Sequence, residues 1–345
     1  MELYPKLILE ALSHVTHPAT GKNIVESGIV EDDIRIEGRK VSFSLLLKSN
    51  DPLAKSLVKA SETAILTYVG PDVEIKGNIA IKSPAEPAVE KEEPLKGVRY
   101  KIAISSGKGG VGKSTVTSNL AISLAKLGYK VGLLDADIFG PSIPKMFGVE
   151  GATPYADENG LIMPIEKYGV KMLSIGFFVN TDSAIVWRGA MASGAIKQLL
   201  TEAAWGELDY LLIDLPPGTS DIHLTVVQTI KLDGAIVVST PQQVALADAV
   251  RGIDMFQNEK INVPVIGLIE NMAWFTPKEL PENKYYIFGK EGVSKLAEER
   301  GIRLLGQIPL VQGICEGGDN GAPVSLSDTI TALAFDNIAK SIVFQ

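Results

Sequence analysis

Over residues 1–82 the apolar positions come in short runs, some at helical spacing and some alternating with polar residues. Residues 4–12 read as a helix and residues 34–36 as a strand. Val41, Phe43, Leu45 and Leu47 form the inward face of a second strand, with Gly38 and Arg39 supplying the turn between the two. A helix from about residue 52 to 68 and a strand over 73–81 complete a small α+β domain. Over residues 83–97 the pattern disappears. Pro84, Pro87 and Pro94 stand among Glu86, Glu90, Glu92 and Glu93, with too little apolar surface to offset the entropy of ordering, so a linker is expected there.

Residues 98–345 follow a different rule. Unbroken β-rich apolar runs at 100–105, 131–134, 170–175, 210–213, 235–239, 265–269 and 304–308 alternate with helical stretches. Strands that are apolar on both faces and separated by helices predict an α/β domain, with a buried, mostly parallel sheet flanked by helices. Ligands of such sheets bind beyond the carboxyl ends of the strands. The last apolar stretch, 330–343, has helical spacing but only Lys340 as a basic residue. Core packing is therefore expected of it rather than membrane binding.

Composition narrows the function. The 345-residue chain is 46% hydrophobic, with 21% charged residues and a net charge of −8. That balance suits a globular protein of about two domains and argues against nucleic acid as a partner, since phosphate neutralisation needs clustered Lys and Arg. No apolar run approaches ~20 residues and the start carries no signal-like segment, so no membrane partner and a cytoplasmic location are expected. Cys315 is the single cysteine, which excludes a disulfide framework and any Cys-x-x-Cys pair.

Chemistry concentrates in Gly107, Lys108, Gly109, Gly110, Val111, Gly112, Lys113, Ser114 and Thr115. This is a phosphate-binding loop with one lysine beyond the basic Gly-x4-Gly-Lys-Ser/Thr pattern, set between a strand and a helix over 112–127 marked by Leu120, Leu124 and Leu127. The glycines let backbone N–H groups surround phosphate oxygens, and the helix adds its positive end. Lys113 is placed to reach the terminal phosphates of ATP or GTP. Lys108 leaves the strand too early to share that task and is expected to reach outward, toward a second subunit. Ser114 is expected to ligate Mg²⁺, and Thr115 to touch a phosphate nearer the sugar.

Three acids close strands. Asp214 ends the run 211–213 and is expected to hold Mg²⁺ through water. Asp135 and Asp137 end another strand, with Asp137 favoured for positioning the attacking water and Asp135 for the metal's hydration shell; the reverse assignment, or helix capping by Asp137, stays open. Pro216, Pro217 and Gly218 follow Asp214, and the Gly218 N–H is expected to sense the γ-phosphate.

Together these residues resemble the Mrp/ApbC group of P-loop ATPases, relatives of MinD, ParA and the nitrogenase iron protein. The likeness rests on KGGVGKST from Lys108, DADIFGPSIPKMFG from Asp135, WRG from Trp187, DLPPGTSD from Asp214, ENM from Glu270 and YIFGKEG from Tyr286. The segment HPATGKNIVESGIV from His17 looks like the small domain of iron–sulfur assembly proteins. The resemblance implies a P-loop NTPase fold and a homodimer enclosing two ATP molecules, with Lys108 crossing to the partner's nucleotide. It also implies a base contact at Asn271, which is equally suited to a structural cap. The implied activity is slow ATP hydrolysis, coupled to carrying iron–sulfur clusters to apo-proteins. A spatial organiser of MinD/ParA type and an ATP-switched adaptor without a cluster are the alternatives.

The sequence departs from that family in the small domain, which lacks a cysteine near Asn50 and has His17 and Ala19 where acidic residues are common, and most consequentially at the cluster's ligands. Many members carry Cys-Pro-x-Cys shortly after ENM, whereas residues 275–283 here hold no cysteine. Four thiolates are the usual complement of a cluster. A dimer of this chain has two, both Cys315, and Glu279 or Glu282 would have to complete a mixed ligand set. Cys315 is expected instead to be a small buried hydrophobe. His14, His17 and His223 lack metal-ligand spacing and are expected in surface or capping roles.

Overall fold

In the computed structural model, residues 3–18, 21–47, 53–82, 94–178, 189–277, 279–280 and 282–343 are described. The chain divides into two compact units, Met1–Lys91 and Glu92–Gln345. Of the linker expected over 83–97, residues 83–93 lie outside the described residues, as do Trp187 and Arg188 of the WRG motif, while 94–97 form a turn that leads into the first strand of the second unit.

The first unit contains α1 (Pro5–Leu12), β1 (Arg35–Glu37), β2 (Lys40–Leu46), α2 (Ala54–Tyr68) and β3 (Ile79–Lys82). β1 and β2 form a hairpin closed by the Glu37–Lys40 pair, with Gly38 at φ 65°, and β3 runs parallel to β2. Val41, Phe43 and Leu45 meet Ile8, Leu12 and Ile65 in one core. The strand expected over 73–81 is shorter. Val73 and Ile75 are buried as their alternation suggests, but only Glu74 bridges to Lys40, and a turn from Asn78 N–H to the Ile75 carbonyl intervenes, with Gly77 at φ 77°.

The second unit runs β4 (Val98–Ser105), α3 (Lys113–Lys126), β5 (Val131–Asp135), α4 (Ile143–Met146), β6 (Ile165–Lys167), β7 (Val170–Ser174), α5 (Gly189–Thr201), β8 (Leu208–Asp214), α6 (Asp221–Thr229), β9 (Gly234–Ser239), α7 (Gln243–Gln257), β10 (Val265–Glu270), α8 (Gly292–Arg300), β11 (Leu304–Gln307), α9 (Gln312–Asp319) and α10 (Ile330–Ile342). Eight strands form one sheet in the order β11-β10-β9-β4-β8-β5-β7-β6. Every pairing is parallel except that of β6, an unanticipated edge strand antiparallel to β7.

The unbroken apolar strands feed two cores, since successive side chains leave opposite faces. Ile102, Ile104, Leu133 and Leu212 join Leu120, Leu124, Phe335 and Ile338 on one face, where α3 and α10 lie. Ala103, Leu134, Leu211 and Ile213 join Ile196, Leu199, Ile222 and Phe256 on the other, under α5, α6 and α7. α10 thus buries Phe335, Ile338, Ala339 and Ile342 as the helical spacing suggests. None of the described helices is long and apolar enough to cross a membrane. Because β4, β5, β8, β9 and β10 are parallel, their carboxyl ends share one edge of the sheet, and Ser105, Asp135, Asp214, Ser239 and Glu270 end there.

Candidate nucleotide site

The loop over 106–112 leaves β4 and turns directly into α3. Gly110 and Gly112 adopt φ of 80° and 85°, a region that side chains with Cβ avoid. Space matters as much as conformation. A Cβ at Gly112 would collide with Asn271 Nδ2, and one at Gly107 with the Asp248 backbone. These glycines are therefore demanded by neighbours as well as by phosphate access.

Lys113 opens α3 and is only 6% exposed. Its ammonium donates to Asp214 Oδ2 at 2.7 Å and to Ser114 Oγ at 3.2 Å, and pairs with Asp137 Oδ2 at 3.5 Å. Ser114 Oγ donates to the same Asp214 oxygen at 2.5 Å, and Thr117 Oγ1 donates to Asp214 Oδ1 at 2.6 Å. A hydroxyl whose proton is committed to a carboxylate keeps its lone pairs for a hard cation, so Ser114 and Asp214 suit Mg²⁺ in direct and water-mediated roles.

Asp135 faces Asp214 across the β5–β8 ladder and is fully buried. Burial, reinforced by the Asp214 charge, pushes its carboxyl up to about 7, against the Ser174 hydrogen bond and Lys113. It accepts from Asp137 N–H and Ile143 N–H, both at 3.2 Å, and from Ser174 Oγ at 2.9 Å. Those bonds tie the loop 136–143 to the strand end. Asp137 is raised as well, by burial opposed by Lys113. It does not cap a helix: its Oδ1 accepts from Phe139 N–H at 3.2 Å, whereas α4 is preceded by Ser142.

The Gly218 N–H donates to the Ser106 carbonyl at 2.8 Å, joining the Pro-Pro-Gly loop to the phosphate loop. That loop ends at Ser220, which caps α6 in a reciprocal arrangement with His223. The capping role expected of a histidine is met, but His223 is 1% exposed rather than on the surface, and burial pushes its imidazole down to about 4. His14 lies on the surface, stacked on Tyr68 at 4.1 Å.

Two adjoining clefts lie at this sheet edge. One, of about 200 Å³, is lined by the phosphate loop with Lys108, Asp137 and Pro217. Lys108 is exposed there. The other, of about 350 Å³, shares Gly112, Thr115, Ser142 and Met146 with the first and is walled by Asn271, Met272, Leu310, Ile314 and Cys315. A phosphate cleft opening into a larger, mostly apolar one has the form of a nucleotide site. Asn271 Nδ2 donates to the Val111 carbonyl at 2.8 Å, so the amide braces the phosphate loop at the mouth of the larger cleft. Cys315 corrects an expectation. It is exposed on α9, with Sγ 3.6 Å from Asp319 Oδ2, because α9 presents no buried face and lies along the cleft.

Lys113, Ser114, Asp135, Asp137 and Asp214 converge, and Asn271 joins from the residue after β10; Gly218, in the loop after β8, has the N–H expected to sense a γ-phosphate committed instead to the Ser106 carbonyl. Thr117 and Ser174 were not expected here, and Glu270 was expected only as the first residue of ENM, with no role of its own. Glu270 Oε2 accepts from Val293 N–H at 2.7 Å and Oε1 from Gln307 Nε2 at 2.6 Å, fastening β10 to α8 and to the strand that leads into the second cleft wall. Thr117 sits one helical turn beyond Lys113, a spacing that points both at the same strand end.

A family described as NUBPL iron-transfer P-loop NTPase matches residues 97–343, and one described as iron–sulfur cluster assembly protein matches residues 6–76. An iron–sulfur cluster carrier protein from Synechocystis is 42% identical over 342 residues, covering 97% of this chain and 96% of its own. The mouse iron–sulfur cluster transfer protein NUBPL is 46% identical over 257 residues, 73% of this chain and 79% of its own. Among solved structures, a nucleotide-binding protein from Archaeoglobus fulgidus in complex with ADP superimposes with a TM-score of 0.59 at 41% identity, covering 67% of this chain and 90% of that one. MinD from Pyrococcus horikoshii with Mg-ADP follows at 0.54 and 25%, covering 71% and 96%.

Proposed function

Because the chain belongs to the NUBPL iron-transfer P-loop NTPase family, we propose that it binds and slowly hydrolyses ATP as a homodimer, and that the nucleotide governs transfer of iron–sulfur clusters to apo-proteins. The observation that carries this reading is the convergence of Lys113, Ser114, Asp137 and Asp214 at one sheet edge, with the 2.7 Å Lys113–Asp214 contact at its centre. The adjoining cleft past Gly112 and Thr115 receives the nucleoside, and Asn271 holds the loop that separates the two compartments.

Bound triphosphate competes for the Lys113 ammonium. As the ammonium turns to the phosphates, Asp137 loses its partner, and a carboxylate already raised by burial becomes a better proton acceptor for an attacking water. The loop N–H groups and Lys113 then stabilise charge on the transferred group. Ser114 and Asp214 are the residues that would hold Mg²⁺, which would supply charge neutralisation there. Lys108, exposed at the rim, reaches across the two-fold axis to the partner's phosphates.

Phosphate release from ATP tests the reading. Asp137→Asn is expected to lower kcat by roughly 10²-fold while ATP still binds. Lys113→Ala is expected to impair both binding and turnover. Equal rates in all three proteins would remove the ATPase assignment.

A further inference from the structure

The relatives' names speak of carrying and transferring clusters, yet this chain offers a cluster almost nothing to hold. Iron–sulfur clusters are bound by thiolates, four as a rule. The chain has one cysteine, so a symmetric dimer brings two. Among the described residues no group of three or more His, Cys, Asp and Glu could hold a metal ion. Glu279 and Glu282, the candidates for a mixed ligand set, stand exposed in the turn between the bridged Phe275 and Tyr285.

The place of the one thiol is as telling as its number. Cys315 lines the larger cleft with Gly112, Thr115 and Asn271, which the proposed function gives to the nucleoside. Its Sγ lies 3.6 Å from the Asp319 carboxylate, and Glu316 follows it in α9. Two carboxylates beside the sulfur oppose formation of the thiolate a metal needs and repel an anionic thiolate-bound cluster. A sulfur that faces nucleotide and is flanked by acid is badly placed to be half of a pair across a dimer axis.

We infer that a cluster handled by this chain is held by the thiolates of a partner protein, the chain supplying the nucleotide-driven step and no sulfur ligand of its own. The inference rests on the ATPase reading above and deepens it by naming the partner's chemistry: a cysteine-bearing protein that already carries the cluster. Transfer is then ligand exchange between partner and acceptor. Each acceptor thiol loses a proton as its sulfur bonds iron, each departing donor thiolate takes one up, and no electron changes hands.

Two anaerobic measurements on the full chain test this. In the first, the protein is incubated with ferrous iron and sulfide, with and without a non-hydrolysable ATP analogue, then desalted and assayed for iron, sulfide and visible absorption. Wild type and Cys315→Ser should both retain less than ~0.1 cluster per dimer. In the second, a scaffold protein holding a [4Fe–4S] cluster on its own cysteines is mixed with an apo-ferredoxin. The chain with ATP should accelerate transfer several-fold, Cys315→Ser should do so in proportion to its own ATP hydrolysis, and Lys113→Ala should not.

A stoichiometric cluster on the desalted chain overturns the inference, whether or not Cys315→Ser removes it. So does acceleration that disappears in Cys315→Ser while its ATP hydrolysis persists, or a wild-type chain that does not accelerate transfer at all. Phosphate release recorded in the same mixtures shows separately whether the ATPase reading stands.

Discussion

Lys113 lies between two carboxylates that have different tasks. Asp214 is fixed by Ser114 and Thr117 as well, whereas Asp137 keeps only Phe139 N–H and the longer contact to Lys113. The less tethered acid is the one able to change partners, which favours it for handling water. Two single-residue outcomes follow from the surroundings. Saturating ATP should protect Cys315 from alkylation by a maleimide; labelling at the same rate with and without nucleotide would move the nucleoside out of the larger cleft. His223, ordinarily at 6.5 and held near 4 by burial, gives stability that is whole above pH 6.5 and lost as pH falls toward 4. Its share amounts to about 3 kcal/mol at most. His223→Gln should therefore show a shallower loss of stability over that interval in chemical denaturation; an unchanged slope would mean the imidazole titrates normally. Gly107 to Thr115 could be read from sequence because the residue types themselves are the chemistry. Thr117 and Ser174 could not, since a hydroxyl in a helix or at a strand end is ordinary until the fold brings a carboxylate to it.

Among the elements, parallel strands set the site by ending together. Asp135 and Asp214 face each other in register, a proximity no local pattern announces, and their mutual repulsion helps to explain why Asp135 is raised. Glu270 does similar work between elements, joining β10 to α8 and to Gln307. Glu270→Leu leaves the buried Val293 N–H without its acceptor and should cost roughly 1–3 kcal/mol, measured by denaturant unfolding. A loss below the error of that measurement would show that the network is dispensable. The apolar runs announced each interior strand of the large sheet because both faces are buried. Edge and turn segments were harder to read. Residues 165–167 alternate too briefly to signal β6, and the alternation at 73–81 records burial of Val73 and Ile75 rather than continuous pairing.

At the scale of the molecule, each compact unit has its own core, and the P-loop unit places its candidate catalytic groups along a single sheet edge. Lys108, exposed at the rim of the phosphate cleft, is the residue of the phosphate loop to which the proposal gives a task outside its own protomer. That composite arrangement is the centre of the proposed ATPase, and mixing two inactive proteins tests it. In a heterodimer of Lys108→Ala and Asp137→Asn chains, one site combines an intact Asp137 with an intact Lys108 from across the interface, and the other has neither. Random pairing makes half the dimers mixed, so phosphate release should recover to about a quarter of the wild-type rate although each variant alone is nearly silent. No recovery from a mixture shown to exchange subunits, or full activity in Lys108→Ala alone, would contradict a site completed by the partner.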